Sequence, residues 1–115
     1  MVDCLFCRIV AGAIPAKVVK RTPDVLAFHD IDAKAPVHVL VIPTRHVPAV
    51  RNVAGAEGEA LLGKLLAFSA EVASELGLDA GGYRIVTNTG PDAGQSVDHL
   101  HLHVLGGRKF RWPPG

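Results

Sequence analysis

The chain has little net charge, few cysteines and no long apolar run, and each shortage excludes a class of protein. Its 115 residues contain 12 Lys and Arg against 11 Asp and Glu, which gives a formal charge of +1. A nearly neutral chain has no overall field for holding nucleic acid or an anionic membrane. Two cysteines are too few for a disulfide-rich scaffold, and the apolar runs are too short to span a bilayer. The amino-terminal residues show no signal peptide, so we expect a cytoplasmic protein.

The chain does contain enough apolar residues for one core, together with an unusual share of histidine. Hydrophobic residues make up 49% of the sequence, and the length allows one domain over residues 1–115. Six histidines are present, and three of them fall within five residues. A site built from imidazole groups is therefore the feature that any function must explain.

Hydrophobic periodicity predicts an α+β fold with a mainly antiparallel sheet. A short helix is expected over 5–10, with Asp3 as its cap, and a long helix over 57–78, with Gly77 as its stop signal. Strands are predicted over 17–21, 25–30, 38–42, 83–88 and 99–105. This order of elements favours one sheet packed against helices.

Three histidines, His99, His101 and His103, alternate with apolar residues in the last predicted strand. Alternate side chains of a strand share one face, so the three imidazoles would point to one side and the apolar residues to the core. Such a face can bind a metal through neutral nitrogens, or one imidazole can act as a nucleophile. A plain polar surface is a weaker interpretation, since Thr or Lys would serve equally well. The spacing leaves the choice between metal and nucleophile open.

A glycine-rich loop precedes these histidines. Residues 90–96 read Gly-Pro-Asp-Ala-Gly-Gln-Ser and supply backbone freedom, amide donors and one hydroxyl. Backbone N–H groups in such turns suit a phosphate. The glycines alone would indicate an ordinary connecting loop, but beside three histidines and Ser96 we favour a phosphate-binding loop.

The pattern His-Leu-His-Leu-His-Val-Leu over 99–105 resembles the signature of the histidine triad nucleotide-binding proteins, the Hint branch of the histidine triad (HIT) superfamily. The similarity covers nearly the whole chain and includes Ile14-Pro15-Ala16-Lys17, residues 26–31, residues 40–43, residues 94–97 and the final Trp112-Pro113-Pro114-Gly115. The resemblance implies the HIT-like fold, a five-stranded sheet with one long and one short helix. It also implies a homodimer in which two such sheets join into one of ten strands.

The resemblance implies a hydrolase of purine nucleoside phosphoramidates or related nucleoside monophosphate esters, with an AMP- or GMP-type substrate. In the family the middle histidine attacks the α-phosphorus, so His101 is the expected nucleophile. Water then hydrolyses a nucleotidyl-histidine intermediate. The other ring nitrogen of His101 should donate to a backbone carbonyl or a similar acceptor. His103 would contact the phosphate, and Ser96 would lie near the leaving group.

The nucleotide pocket is likewise what the resemblance implies. Asp30 matches the family's acidic residue on the ribose hydroxyls, and Asn88 matches an asparagine beside the sugar and phosphate. Amides around Gly94, Gln95 and Ser96 would complete the phosphate cradle. Trp112 would approach the active site of the partner in the dimer. Positions that match the base pocket are Leu5, Phe6, Ile9, Phe28, Ile31 and Leu40.

Some bacterial members of the superfamily hold a zinc ion with a Cys-x-x-Cys pair and two histidines. The matching residues here are Cys4, Cys7, His46 and His99. Such a Cys₂His₂ set is closed and tetrahedral, so the zinc would be structural and would not be needed for the chemistry. The Cys-x-x-Cys spacing alone is a weak signal, because a buried and inert pair is the alternative.

One acidic residue, Asp98, and two histidines, His29 and His38, lie outside the site that the resemblance implies. Asp98 stands where many Hint-type relatives carry an aromatic residue, and its carboxylate either tunes a nearby imidazole or lies in solvent. His29 and His38 are assigned to the fold.

A nucleotide-binding regulatory module with little turnover is one alternative function. A zinc hydrolase with the triad as ligands is another, although the motif has no obvious general-base carboxylate.

Overall fold

A computed structural model describes residues 3–115 and has the predicted α+β architecture. The elements, in chain order, are α1 (Leu5–Val10), β1 (Val18–Arg21), β2 (Val25–His29), β3 (Val37–Pro43), a 3-10 helix (Val50–Asn52), α2 (Gly55–Glu75), β4 (Tyr83–Val86) and β5 (Leu102–Gly106). The five strands form one antiparallel sheet in the order β1-β2-β3-β5-β4. Within residues 3–115, no helix is both long and apolar enough to cross a membrane.

Helix α2 covers one face of the sheet. Leu61, Leu65, Phe68 and Val72 recur at helical spacing and are buried. They pack on residues of the central strands that point to this face, which are Val25, Ala27, Val39, Val41, Leu102 and Val104. The apolar stripe that predicted the helix is therefore the surface that covers the sheet. Gly77 follows the helix with a φ of 77°, as expected for a residue that ends it.

The opposite face of the sheet holds α1 and a second, smaller core. Phe6 of α1 packs there against the alternate residues of β2 and β3, which are Leu26, Phe28, Leu40 and Ile42. Neighbouring residues of a strand point to opposite faces, so β2 and β3 are covered on both sides. Covering on both sides explains why these two strands have nearly continuous apolar sequences.

Helix α2 and β4 are shifted or shortened at their ends relative to the predicted 57–78 and 83–88, while the start of the last strand and the cap of α1 differ because other side chains take the hydrogen bonds concerned. β5 begins at Leu102, so His99 and His101 precede the strand; the His99 carbonyl accepts from the His101 ring. The cap of α1 is Cys4, whose Sγ accepts the Cys7 N–H at 3.4 Å. Asp3 instead pairs with Arg8.

Gly106, the last residue of β5, lies against the side chain of Leu78, and a substitution there tests this contact. A Cβ at Gly106 would lie 2.7 Å from the side chain of Leu78, which is buried. Overpacking of this kind costs about 1–3 kcal/mol. We therefore expect Gly106→Ala to lower the free energy of unfolding by that amount in urea denaturation.

Gly81→Ala is the matched control for Gly106→Ala. A Cβ at Gly81 would have no atom within 4 Å. Its free energy of unfolding should stay within about 0.5 kcal/mol of the wild type. Equal values for the two variants would contradict the packing of Leu78 on Gly106.

Candidate active site and metal site

A cavity of about 240 Å³ lies between α1 and the sheet, and many of the predicted site residues line it. Its polar lining comes from His29, Asp30, Ser96, His101 and His103. Its apolar lining consists of Leu5, Phe6, Ile9, Ile14, Pro15, Ala16, Phe28, Ile31, Leu40 and Val97. The cavity thus combines apolar walls with a small group of polar side chains, which is the usual composition of a small-molecule site.

Other predicted site residues do not line this cavity, namely Asn88, Gly94, Gln95 and Trp112. The side chain of Gln95 is engaged in the loop itself. Its Nε2 donates to the Pro48 carbonyl at 2.7 Å, and its Oε1 accepts the Gly90 N–H at 2.9 Å. Trp112 is 85% exposed. Gln95 therefore shapes the loop that carries Ser96.

His101 is 3% exposed, and a hydrogen bond sets its tautomer. Its Nδ1 lies 2.7 Å from the carbonyl oxygen of His99. A carbonyl only accepts, so Nδ1 carries the proton and Nε2 is unprotonated in the neutral ring. This bond to a backbone carbonyl agrees with the expectation for the second ring nitrogen of His101. Thr87 Oγ1 donates to the carbonyl of His101 at 2.9 Å and so anchors the main chain of this residue.

His103 is hydrogen-bonded to His38, a residue that sequence reasoning assigned only to the fold. The Lys34 N–H donates to His38 Nδ1 at 3.0 Å, so neutral His38 carries its proton on Nε2. That nitrogen lies 2.9 Å from His103 Nδ1 and 3.3 Å from Asp30 Oδ2. His103 therefore accepts through Nδ1, and its own proton lies on Nε2. This ring is set to donate a hydrogen bond through Nε2.

Burial keeps both of these imidazoles neutral. Desolvation lowers the pKa of His103 to about 4, and repulsion from His101 and His38 adds to the shift. Desolvation also lowers the pKa of His38, against the attraction of Asp30. Both values lie below the ordinary pKa of about 6.5, so the tautomers described above are the forms present at neutral pH.

Cys4, Cys7, His46 and His99 converge beside the cavity, with their ligand atoms within 4.8 Å of one another. We call these residues the Cys₂His₂ set. The Sγ atoms of Cys4 and Cys7 lie 3.4 and 3.6 Å from His99 Nδ1. The Cys7 Sγ also lies 3.3 Å from His46 Nδ1. Zinc with ordinary bond lengths has tetrahedral S···N edges of about 3.6 Å. The four residues therefore fit a tetrahedral metal ion.

The tautomer of His99 is also the one that metal binding requires. Its Nε2 lies 2.9 Å from the Pro43 carbonyl, so the proton is on Nε2 and the Nδ1 lone pair faces the thiols. Burial raises the pKa of the Cys7 thiol, and the hydrogen bond with Cys4 and the charge of Cys4 raise it further. A cation bound there would stabilise the thiolate and so offset this cost.

The three histidines of the triad do not converge on one point. The Nδ1 of His99 faces the thiols, that of His101 faces a main-chain carbonyl, and that of His103 faces His38. Three rings with three different partners argue against a catalytic metal held by all of them.

Asp98 and His29 are both exposed. Asp98 makes no ion pair within residues 3–115, so its carboxylate lies in solvent. His29, assigned to the fold from the sequence, lies at the end of β2 and lines the cavity.

Known proteins are similar to this chain in sequence and fold. Residues 11–110 match the profile of the HIT domain. The chain is 48% identical over 113 residues to an uncharacterized HIT-like protein of Synechocystis sp., covering 98% of this chain and 97% of that protein. A HIT family hydrolase from Legionella pneumophila is similar in structure, with 43% identity, a TM-score of 0.94 and coverage of 98% and 100%. A histidine triad nucleotide-binding protein from Candida albicans shows 30% identity, a TM-score of 0.82 and coverage of 98% and 85%.

The lowered pKa of His103 predicts a loss of stability in acid. The ring titrates near pH 4 in the fold and near pH 6.5 when unfolded, so the unfolded chain binds the proton first as pH falls. Stability should therefore decrease from about pH 6.5 towards about pH 4. His103→Asn keeps an acceptor for His38 but does not titrate. Urea denaturation at about pH 7.5 and about pH 5 should show a smaller change for this variant than for the wild type. The same change in both proteins would contradict the assignment.

Proposed function

The chain belongs to the HIT domain family, and from that premise we propose that it hydrolyses purine nucleoside phosphoramidates or related nucleoside monophosphate esters. Its structural relatives include proteins described as a HIT family hydrolase and as a histidine triad nucleotide-binding protein. The observation that carries the proposal is the His101 ring, which lines the cavity with its Nδ1 committed to the His99 carbonyl. That bond leaves Nε2 as the nucleophilic atom.

In the proposed reaction, His101 Nε2 attacks the α-phosphorus of the substrate. The new P–N bond forms as the bond to the leaving nitrogen or oxygen breaks, and the leaving group takes a proton from solvent, which the hydrolysis step later returns. Ser96 would hydrogen-bond the departing atom, while the Nε2–H of His103 would donate to a phosphate oxygen. Water then attacks the nucleotidyl-histidine, which releases the nucleoside monophosphate and restores the imidazole.

The cavity suits a nucleoside that carries one phosphate. Phe6, Phe28 and Leu40 would pack against the base, and the Asp30 carboxylate would accept hydrogen bonds from the ribose hydroxyls. None of the described residues that line the cavity is Lys or Arg. The amide cradle expected from the loop is not free, because the Gly94 and Gln95 N–H groups donate to the Pro91 and Gly90 carbonyls. The phosphate would therefore be held by the imidazoles and Ser96, which favours one nucleotide over a polyanion.

The proposal includes a structural zinc ion and a homodimer. Zinc bound to the Cys₂His₂ set would cross-link α1 to the sheet, and the reaction steps above do not use it. A ten-stranded sheet requires pairing at an edge, and the edges here are β1 and β4. Two exposed apolar side chains, Leu66 of α2 (54%) and Trp112 (85%), are available for burial against a second copy.

His101→Asn tests the nucleophile. Asn keeps an N–H that can donate to the His99 carbonyl but has no nucleophilic ring nitrogen. We expect hydrolysis of an adenosine phosphoramidate to fall by about 10³-fold or more, while AMP affinity persists. Rapid quenching of the wild type with this substrate should reveal a nucleotidyl group on His101 by mass spectrometry.

Other outcomes of this experiment separate the alternatives. A wild type that binds AMP but hydrolyses no such substrate would favour the regulatory binding module. Full activity in His101→Asn would exclude this residue as the nucleophile. Activity that disappears with a chelator while the fold stays intact would favour the zinc hydrolase.

Metal analysis tests the Cys₂His₂ set. We expect about one zinc per chain, and cobalt substitution should give the absorption of a tetrahedral thiolate site. Cys7→Ser should weaken metal binding by more than about 100-fold, because it removes a direct ligand. His29→Asn, which changes an exposed histidine outside the set, is the control and should keep full occupancy. Full zinc content in Cys7→Ser would refute the assignment.

A further inference from the structure

Phe6 connects the metal-binding residues to the nucleophile. It lies between Cys4 and Cys7 on α1 and is 4% exposed. Its ring meets the His101 ring edge-on, with centroids 5.2 Å apart and an interplanar angle of 88°. It also packs against the His99 ring, at 5.8 Å between centroids. A side chain carried by the cysteine-bearing helix therefore contacts the proposed reacting imidazole directly.

His99 provides a second connection between the two sites. Its ring faces the thiols through Nδ1, while its main-chain carbonyl accepts the His101 Nδ1–H. A displacement of His99 relative to Cys4 and Cys7 would move the acceptor that sets the tautomer of His101. Close-packed interiors transmit such displacements because they contain few voids.

Helix α1 has little means of holding its position by itself. Its six residues fall below the roughly 12–15 that make an isolated helix even marginally stable in water. Leu5, Phe6 and Ile9 of this helix form part of the cavity wall. The position of that wall therefore depends on two anchors, the packing of Phe6 in the second core and the Cys₂His₂ set, whose cysteines flank Phe6.

We propose that metal binding at the Cys₂His₂ set and nucleotide binding in the cavity are coupled, with Phe6 as the residue that transmits the coupling. The inference rests on the proposed function for the identity of the nucleotide. A bound metal fixes α1 where it completes the cavity wall, so it raises nucleotide affinity. A nucleotide packed on that wall retains the metal in return, because each ligand changes the affinity of the other by the same factor.

The zinc affinity of the intact protein tests the coupling. Zinc is partitioned to equilibrium between the protein and a chromogenic chelator with and without saturating AMP, which gives the zinc affinity in each state, and calorimetry confirms saturation. We expect zinc affinity to be higher with AMP by at least about fivefold, the lower end of typical coupling factors. Inorganic phosphate, which does not reach the α1 wall as a base would, should leave the zinc affinity nearly unchanged.

Two variants separate the role of Phe6 from that of the cavity as a whole. Phe6→Leu keeps all four metal ligands and should abolish most of the AMP effect on zinc affinity. If circular dichroism shows that Phe6→Leu is unfolded, the same measurement is made on Phe6→Met. Ile14 lines the same cavity but lies outside α1. Ile14→Ala should therefore need more AMP for saturation and still show the full effect.

The results that would overturn the coupling differ from those that would overturn the proposed function. Equal zinc affinities in AMP-saturated and AMP-free protein would exclude the coupling and leave the hydrolase proposal standing. The full AMP effect in Phe6→Leu would exclude Phe6 as the transmitting residue. A protein that binds no AMP would fail both proposals, whereas one that binds AMP but no zinc would fail the coupling alone.

Discussion

The hydrogen bonds of His99 are the constraint on which the rest of the site depends. The ring spans the Pro43 carbonyl at the end of β3 and the thiols of α1, and the main-chain carbonyl holds His101. The residue is completely buried, so water cannot replace either partner. Loss of one would leave a buried polar atom unpaired at a cost of about 1–3 kcal/mol. One residue thus contacts a helix, a strand end and the proposed nucleophile, and the chain leaves regular strand geometry before Leu102.

Fixed tautomers give three histidines of one repeating motif different chemical properties. His99 presents an unprotonated Nδ1 to the thiols, His101 keeps an unprotonated Nε2, and His103 keeps a proton on Nε2. In each ring the property of one nitrogen is set by the partner of the other. The motif therefore specifies residue type and spacing, while main-chain carbonyls and His38 determine what each imidazole can do.

Properties that are local in the sequence were predicted well, and properties that depend on strand register were not. The apolar spacing of α2 and the continuous runs of β2 and β3 follow from nearby residues. The role of His38 depends on the register of β3 and β5, which pairs Leu40 with His103 and brings two rings 65 positions apart to 2.9 Å. A single histidine in an apolar run carries no local sign of such a partner. The Cys₂His₂ set was expected from family resemblance, because Cys-x-x-Cys spacing fits inert thiols equally well.

None of the described residues that line the cavity is Lys or Arg, and this bears on the charge of His103 as well as on binding. Desolvation lowers the pKa of His103 to about 4 in the free protein, whereas a bound phosphate would raise it by direct attraction. Positive charge on this ring is therefore favoured only when a phosphate group is bound in the cavity. A lysine of ordinary pKa at the same place would carry its charge in the empty cavity as well. It would bind the nucleotide product and the transition state alike, which strengthens binding without speeding the reaction. The half-buried His103 thus carries no unpaired charge in the empty cavity, and it can supply a positive charge when a phosphate binds.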